Sequence, residues 1–199
     1  MKQILILVAL LATVSGLAQE KLSREESLKY AFIACANLKA MLDTPIPTDP
    51  DVKRPVAIRH ENYGGLVLPE SRLSAESFAK AGREAVAVGQ LWLVKLAPLS
   101  AGQAVAAEKL RTVHIVAGDQ EADVVLCALA VQKNGDGALE LLVYGKGKDP
   151  VLRTPLKSIS AAQENPIDMA AERKDEGGEI TLKFVGKYEA TFMVTDPDA

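Results

Sequence analysis

The chain's two histidines are the first candidates for acid–base chemistry, because imidazole titrates near neutral pH. His60 lies in the polar run 59–63, where an imidazole, a carboxylate and a phenol stand close together. Such groups could carry general acid–base catalysis in a hydrolase or an isomerase of the cell envelope. Arg59, His60, Glu61 and Tyr63 are therefore an alternative functional site, although neighbouring residues on an extended chain point to opposite sides.

The remaining chemistry-bearing residues match no catalytic or metal-binding motif. His114 is out of phase with Val113 and Ile115 in a strand-like run, which predicts a solvent-facing side chain. The chain has no Gly-x-Ser-x-Gly nucleophile motif and no spaced Cys and His ligands for zinc. The sequence therefore predicts no catalytic residue, no metal site and no cofactor.

A short basic segment contrasts with the chain's net charge of −3. Its cationic residues are Lys146, Lys148, Arg153 and Lys157, and Asp149 is the one acid among them. Arg153 and Lys157 are four residues apart and are predicted to share a strand face. This segment is the candidate surface for an anionic partner, either an anionic glycan or an envelope protein. The alternative is an ordinary solvated hairpin with a charged edge strand.

The two cysteines, Cys35 and Cys127, are both predicted to point toward apolar surroundings. Cys35 falls on the apolar stripe of a predicted helix, and Cys127 falls in the strand-like run 124–129. Two interpretations stay open: buried free thiols, or a disulfide that ties the helix to the sheet in an oxidising compartment.

The first eighteen residues have the pattern of an export signal. Lys2 precedes an unbroken apolar run from Ile4 to Ala12, which is too short to span a bilayer. Small residues before Gln19 favour cleavage at that point, so 1–18 is predicted to be a signal peptide. We expect export to the periplasm or the extracellular space, with no transmembrane segment in the mature chain.

The next two segments are predicted to be a helix and an extended arm. An amphipathic helix is predicted over 19–43, because Ser23 and Glu26 form a capping box and apolar residues recur at helical spacing. Its apolar stripe includes Leu28, Phe32 and Cys35. The segment 44–63 is predicted to be a linker or surface arm, because its first prolines hold the chain extended.

Residues 64–199 are predicted to form an antiparallel β domain. Short runs with alternating hydrophobicity are separated by turn residues, of which Asn134–Gly137 is the strongest hairpin signal. One strand is predicted over Val151–Ile159, and residues 97–110 are predicted to be a long loop. The fold class is mainly β (α+β): an antiparallel β-sandwich or partly closed barrel of about seven to eight strands with the N-terminal helix.

Composition narrows the function classes. With 48% hydrophobic and 25% charged residues, the chain is typical of a folded globular domain. Its acidic balance provides no basic field for phosphates, so no nucleic-acid partner is expected. The sequence predicts an exported, non-catalytic β-domain protein that acts as a binding or structural accessory module of the cell envelope.

Overall fold

The computed structural model describes residues 20–36, 43–117, 120–174 and 177–197, which form a β-sandwich of two antiparallel sheets. Eight of the described strands form the larger sheet: β1 (Glu20–Lys21), β2 (Val56–His60), β3 (Tyr63–Pro69), β4 (Val86–Val94), β7 (Arg111–Ala117), β8 (Gln120–Lys133), β9 (Leu139–Tyr144) and β10 (Leu152–Pro155). Six form the smaller sheet: β5 (Ala97–Ser100), β6 (Gln103–Ala104), β11 (Lys157–Ser158), β12 (Ile167–Lys174), β13 (Gly177–Phe184) and β14 (Tyr188–Thr195). The predicted sandwich is confirmed, and the sheets do not close into a barrel.

The strands of the larger sheet are organised around β8. The order is β1-β2-β3-β4-β8-β9-β10, and β7 also pairs with β8. One edge of β8 pairs with β4 from Val124 to Val131, while the other edge pairs first with β7 and then with β9. The smaller sheet has the order β12-β13-β14-β5-β6, with β11 beside β14.

The main hydrophobic core lies between the two sheets. Inward-facing residues alternate along β13, where Ile180, Leu182 and Phe184 are all fully buried. They contact residues of the larger sheet such as Leu91 and Leu129 in one cluster. This alternation of buried and partly exposed positions is what antiparallel strands with one buried face require.

A second apolar layer covers the outer face of the larger sheet, which is the face turned away from the smaller sheet. Helix α1 (Arg24–Cys35) packs there against residues that include Leu66, Trp92 and Leu126. The predicted capping box is present, since the Glu26 amide donates to Ser23 Oγ at 3.2 Å and the Ser23 amide donates to Glu26 Oε2 at 3.1 Å.

Helix α1 buries a different stripe from the one predicted. Its buried residues are Ser27, Ala31 and Ala34, whereas Phe32 is 67% exposed. Small side chains let the helix approach the sheet closely enough for the Ala57 amide to donate to Ser27 Oγ at 3.2 Å. The predicted helix 19–43 extends beyond α1 at both ends, and its residues 19 and 37–42 lie outside the described residues, as does the predicted signal peptide.

The segment predicted as an arm is part of the folded layer. Ile46 packs on a patch of the outer face formed by Ala128, Ala130, Leu142 and Tyr144. The arm ends at Pro55, because Val56–His60 forms β2 instead of continuing the predicted linker to residue 63. Short β2 has three buried residues in succession rather than an alternating pattern, which is why sequence periodicity did not identify it.

Local turn chemistry accounts for the remaining connections. The Asn134–Gly137 hairpin is confirmed: Asn134 Oδ1 accepts hydrogen bonds from the amides of Asp136 and Ala138, and Gly137 has a φ of +82°. Helix α2 (Ala75–Lys80) precedes β4, and a 3₁₀ turn (Ala107–Lys109) precedes β7. The predicted loop 97–110 contains β5, β6 and this turn.

Among the helices of the described residues, none has the length and apolar character needed to cross a bilayer.

Candidate functional site

The polar run around His60 is divided between the two faces of β2. Arg59 lies on the outer face, where its Nη2 donates to Glu20 Oε2 at 3.0 Å. His60 lies on the same face as Ile58, which belongs to the core between the sheets. The buried Nε2 of His60 has no hydrogen-bond partner within the described part of the chain, so no carboxylate is bonded to it there.

Tyr63 and Glu61 do not complete a catalytic group with His60 either. The Tyr63 hydroxyl donates to Asp196 Oδ2 at 2.9 Å, and this hydrogen bond raises the pKa of the phenol. Glu61 occupies the β2–β3 turn with a φ of +52°. The four predicted residues therefore lie close together but face in different directions.

His114 is exposed, as predicted, on the hairpin of β7 and β8. Its Nδ1 lies 2.9 Å from Asp123 Oδ1, and its Nε2 lies 3.3 Å from Glu121 Oε2. The hydrogen bond with Asp123 is the main cause that raises the pKa of His114. Among the described residues, no group of three or more His, Cys, Asp or Glu side chains is arranged to hold a metal ion.

The predicted basic surface is spread over two sheets. Lys146 and Lys148 lie in the exposed turn between β9 and β10, and Arg153 on β10 is 3.8 Å from Glu140. Lys157 lies instead on β11 of the smaller sheet, opposite Glu189. Because the predicted strand 151–159 changes sheets after Pro155, the prediction that Arg153 and Lys157 share a strand face is wrong.

The two cysteines are free thiols on opposite faces of the larger sheet. Cys127 is fully buried in the core between the sheets, and burial raises the pKa of its thiol to about 12. Cys35, on α1, packs against the outer face. The predicted alternative of a Cys35–Cys127 disulfide is not formed, because the larger sheet separates the two side chains.

A cavity of about 650 Å³ lies between α1 and the outer face of the larger sheet. Its walls are mainly apolar and come from both layers, including Leu22, Ile33, Leu66, Trp92, Val94 and Ile115. Some of the residues that line the cavity are small. Ala34 lines it from the helix, and Gly64 lines it from β3 without a side chain.

Gly64 is not required by close packing of the backbone, because a β-carbon would fit at this position. A β-carbon at this position would lie 3.4 Å from the carbonyl oxygen of Ile58 and 3.8 Å from Cγ2 of Val94, which are ordinary contacts. By contrast, a β-carbon at Gly89 would lie 2.4 Å from the carbonyl oxygen of Leu68, so Gly89 is required by the close approach of two strands. Gly64 is thus a position where a side chain could enter the cavity.

Polar groups lie at the mouth of the cavity. Tyr30, Arg59, Glu61 and Asn62 line it there, and Glu20 contacts Arg59 from β1. The hydrogen bond from Arg59 to Glu20 is the main cause that raises the pKa of the guanidinium, and Tyr30 contributes to the same shift. The arrangement can hold an apolar body inside and a polar group at the surface.

Sequence reasoning did not identify this cavity, because its residues come from five separate segments. The paired Gly64 and Gly65 inside a strand were the available signal, since glycine in a strand often marks a close approach by a ligand or another backbone. Comparison of the chain with protein-family models, curated proteins and solved structures gives no match. Function must therefore be inferred from the site itself.

Proposed function

We propose that this protein is an exported, non-catalytic binding module of the cell envelope, and that it binds its ligand in the cavity between α1 and the larger sheet. The observation that carries the proposal is an apolar cavity of about 650 Å³ with polar groups at its mouth. Small-molecule sites commonly have volumes of about 300–1,000 Å³, apolar walls and a few polar groups.

The position of His60 supports binding rather than catalysis. A hydrolase or isomerase that used His60 would be expected to hold it beside a carboxylate in a concave site. His60 is absent from the lining of the cavity, and its Nε2 has no partner among the described residues. The enzymatic alternative makes a separate prediction: any activity found would be lost in His60→Ala.

Export is supported by the apolar run at 4–12 and the small residues before Gln19. Protein recovered from the envelope fraction should have an intact mass that begins at Gln19. A mass that begins at Met1 would contradict export through a cleaved signal.

Trp92 provides a direct test of the binding site, because it is the chain's single tryptophan and lines the cavity. N-phenyl-1-naphthylamine, a neutral apolar dye, should become fluorescent on binding the mature protein and should quench Trp92 by energy transfer. Gly64→Val places three carbons in the cavity and should weaken dye binding about tenfold or more, since one methylene in an apolar pocket is worth about 1–3 kcal/mol.

Gly82→Val is the matched control, because a β-carbon at Gly82 meets nothing within 4 Å and Gly82 does not line the cavity. It should bind the dye like the wild type. Both variants should keep the wild-type circular dichroism spectrum. If folded Gly64→Val binds the dye as tightly as the wild type, the cavity is not the binding site and the proposal fails.

A further inference from the structure

Among the described residues that line the cavity, Arg59 is the one cationic side chain, and its ion pair with Glu20 is exposed to water. Its partner Glu20 lies across from it in the β1–β2 pairing, so both side chains project from the outer face. The side chains are 45% and 62% exposed, and one bond of 3.0 Å joins them. Exposed ion pairs contribute about 0–1 kcal/mol, because water and salt compete for both charges.

The Glu20 carboxylate therefore marks a place where a carboxylate can be held next to the cavity. It accepts from Arg59 Nη2 while the apolar walls begin at neighbouring Leu22 and Ala57. Tyr30 lines the mouth from α1 on the same side. A ligand that joined an apolar chain to a carboxylate could place its chain in the cavity and its head group where Glu20 now lies.

Other groups at the mouth limit the charge of that head group. Glu61 lines the mouth beside neutral Asn62, and Glu121 also lines the cavity. These acids oppose a head group with two negative charges, such as a phosphate monoester, more strongly than a head group with one.

We propose that the ligand is an amphipathic monocarboxylate, a fatty-acid-like molecule whose carboxylate displaces Glu20 from Arg59 and whose chain fills the cavity. This inference rests on the proposed binding function and names its ligand class. It assigns Arg59 as the head-group contact and Glu20 as an internal competitor for the same guanidinium.

The test compares dodecanoate with dodecanol as competitors that displace N-phenyl-1-naphthylamine from the mature protein. The two molecules share a chain and differ in the head group. Dodecanoate should bind wild-type protein up to about fivefold more tightly than dodecanol, which corresponds to about 1 kcal/mol, the upper end for an exposed ion pair. Arg59→Gln should remove this preference, so that dodecanoate and dodecanol displace the dye equally.

Glu20→Gln should have the opposite effect to Arg59→Gln, because it removes the competing carboxylate. We expect the preference for dodecanoate over dodecanol to increase. Arg72→Gln, which alters an exposed arginine away from the cavity, should behave like the wild type. Melting curves establish that each variant is folded.

Two results would overturn the inference while dye binding and its loss in Gly64→Val still upheld the proposed function. One is equal displacement by dodecanoate and dodecanol in wild-type protein, and the other is a preference for dodecanoate that survives in folded Arg59→Gln. Absence of dye binding to the wild type would instead count against the proposed function.

Discussion

Thr48 fixes the arm of residues 43–55 to the outer face of the larger sheet, and removal of its hydroxyl should destabilise the protein. Gln90 Nε2 donates to Thr48 Oγ1 at 2.7 Å, and Gln90 Oε1 accepts from Trp92 Nε1 at 3.3 Å. Gln90 is fully buried and Thr48 nearly so. Thr48→Val keeps the shape of the side chain but takes this acceptor away from the amide of Gln90.

The loss of one buried hydrogen-bond partner costs about 1–3 kcal/mol. For a protein of this size, each kcal/mol corresponds to a fall in the melting temperature of roughly 2–4 °C. Thr48→Ser is the control, because it keeps the hydroxyl and loses one methyl, worth about 0.8 kcal/mol. The expected order of stability is wild type, then Thr48→Ser, then Thr48→Val.

Urea unfolding followed by Trp92 fluorescence and by far-ultraviolet circular dichroism gives the free energy of unfolding for each variant. The fluorescence of Trp92 also reports on the surroundings of Thr48, because Gln90 is hydrogen-bonded to both residues. Equal stability of Thr48→Val and wild type, or a lower stability of Thr48→Ser than of Thr48→Val, would refute the role assigned to this hydrogen bond.

Two further predictions concern ionisable side chains. Asp123→Asn should lower the pKa of His114 toward its ordinary value near 6.5, because the Asp123 hydrogen bond is the main cause of the raised value; an NMR titration that shows no change would contradict this. Because the pKa of His114 is raised in the folded state, its protonation stabilises the folded protein fully at pH values below the unfolded pKa. This stabilisation should be lost as the pH rises through the folded pKa. Asp123→Asn should make the stability of the protein less dependent on pH in that range. Iodoacetamide should modify half-buried Cys35 in the native protein, whereas Cys127 should react only after unfolding, since burial raises its pKa to about 12. Peptide mapping tests this order, and a Cys35–Cys127 disulfide in the purified protein would overturn it.

The sequence predicted the strands of the β-sandwich well where the alternating pattern and the turn both lie within one continuous segment. In the β13–β14 hairpin, Ile180, Leu182 and Phe184 alternate with less buried residues, and Gly186 supplies the turn with a φ of +68°. Alternation and a glycine turn suffice to define such a pair. Asn134–Gly137 carries an equally local signal.

Features that depend on contacts between distant segments were not predictable in the same way. Phe32 has the spacing of a core residue, but the helix packs through Ala31 and Ala34 because the sheet approaches it closely. Hydrophobicity alone cannot indicate that a small residue will be preferred at such a contact.

The candidate site shows the same limit. Arg59 was singled out for its proximity to His60 in sequence, yet the fold places it with Glu20 and Tyr30, far away along the chain. Side chains of adjacent strand residues point to opposite faces, so neighbours in sequence are separated by the thickness of the sheet. The partner of Arg59 comes from a two-residue strand, whose pattern is too short to identify.

The position of β14 has a consequence for the order of events during synthesis. β14 is the last strand among the described residues, yet it lies inside the smaller sheet, where it pairs with β13 and with β5 from the middle of the chain. The pairing of Ala97 with Thr195 closes a loop of nearly half the sequence, and such non-local pairings form slowly. A nascent chain that stops before β14 can pair β5 with β6 but leaves the other edge of β5 open, so the smaller sheet is incomplete. The smaller sheet is therefore completed only after residues 188–195 have been synthesised, and until then the edges of β5 and β13 that β14 covers stay unpaired.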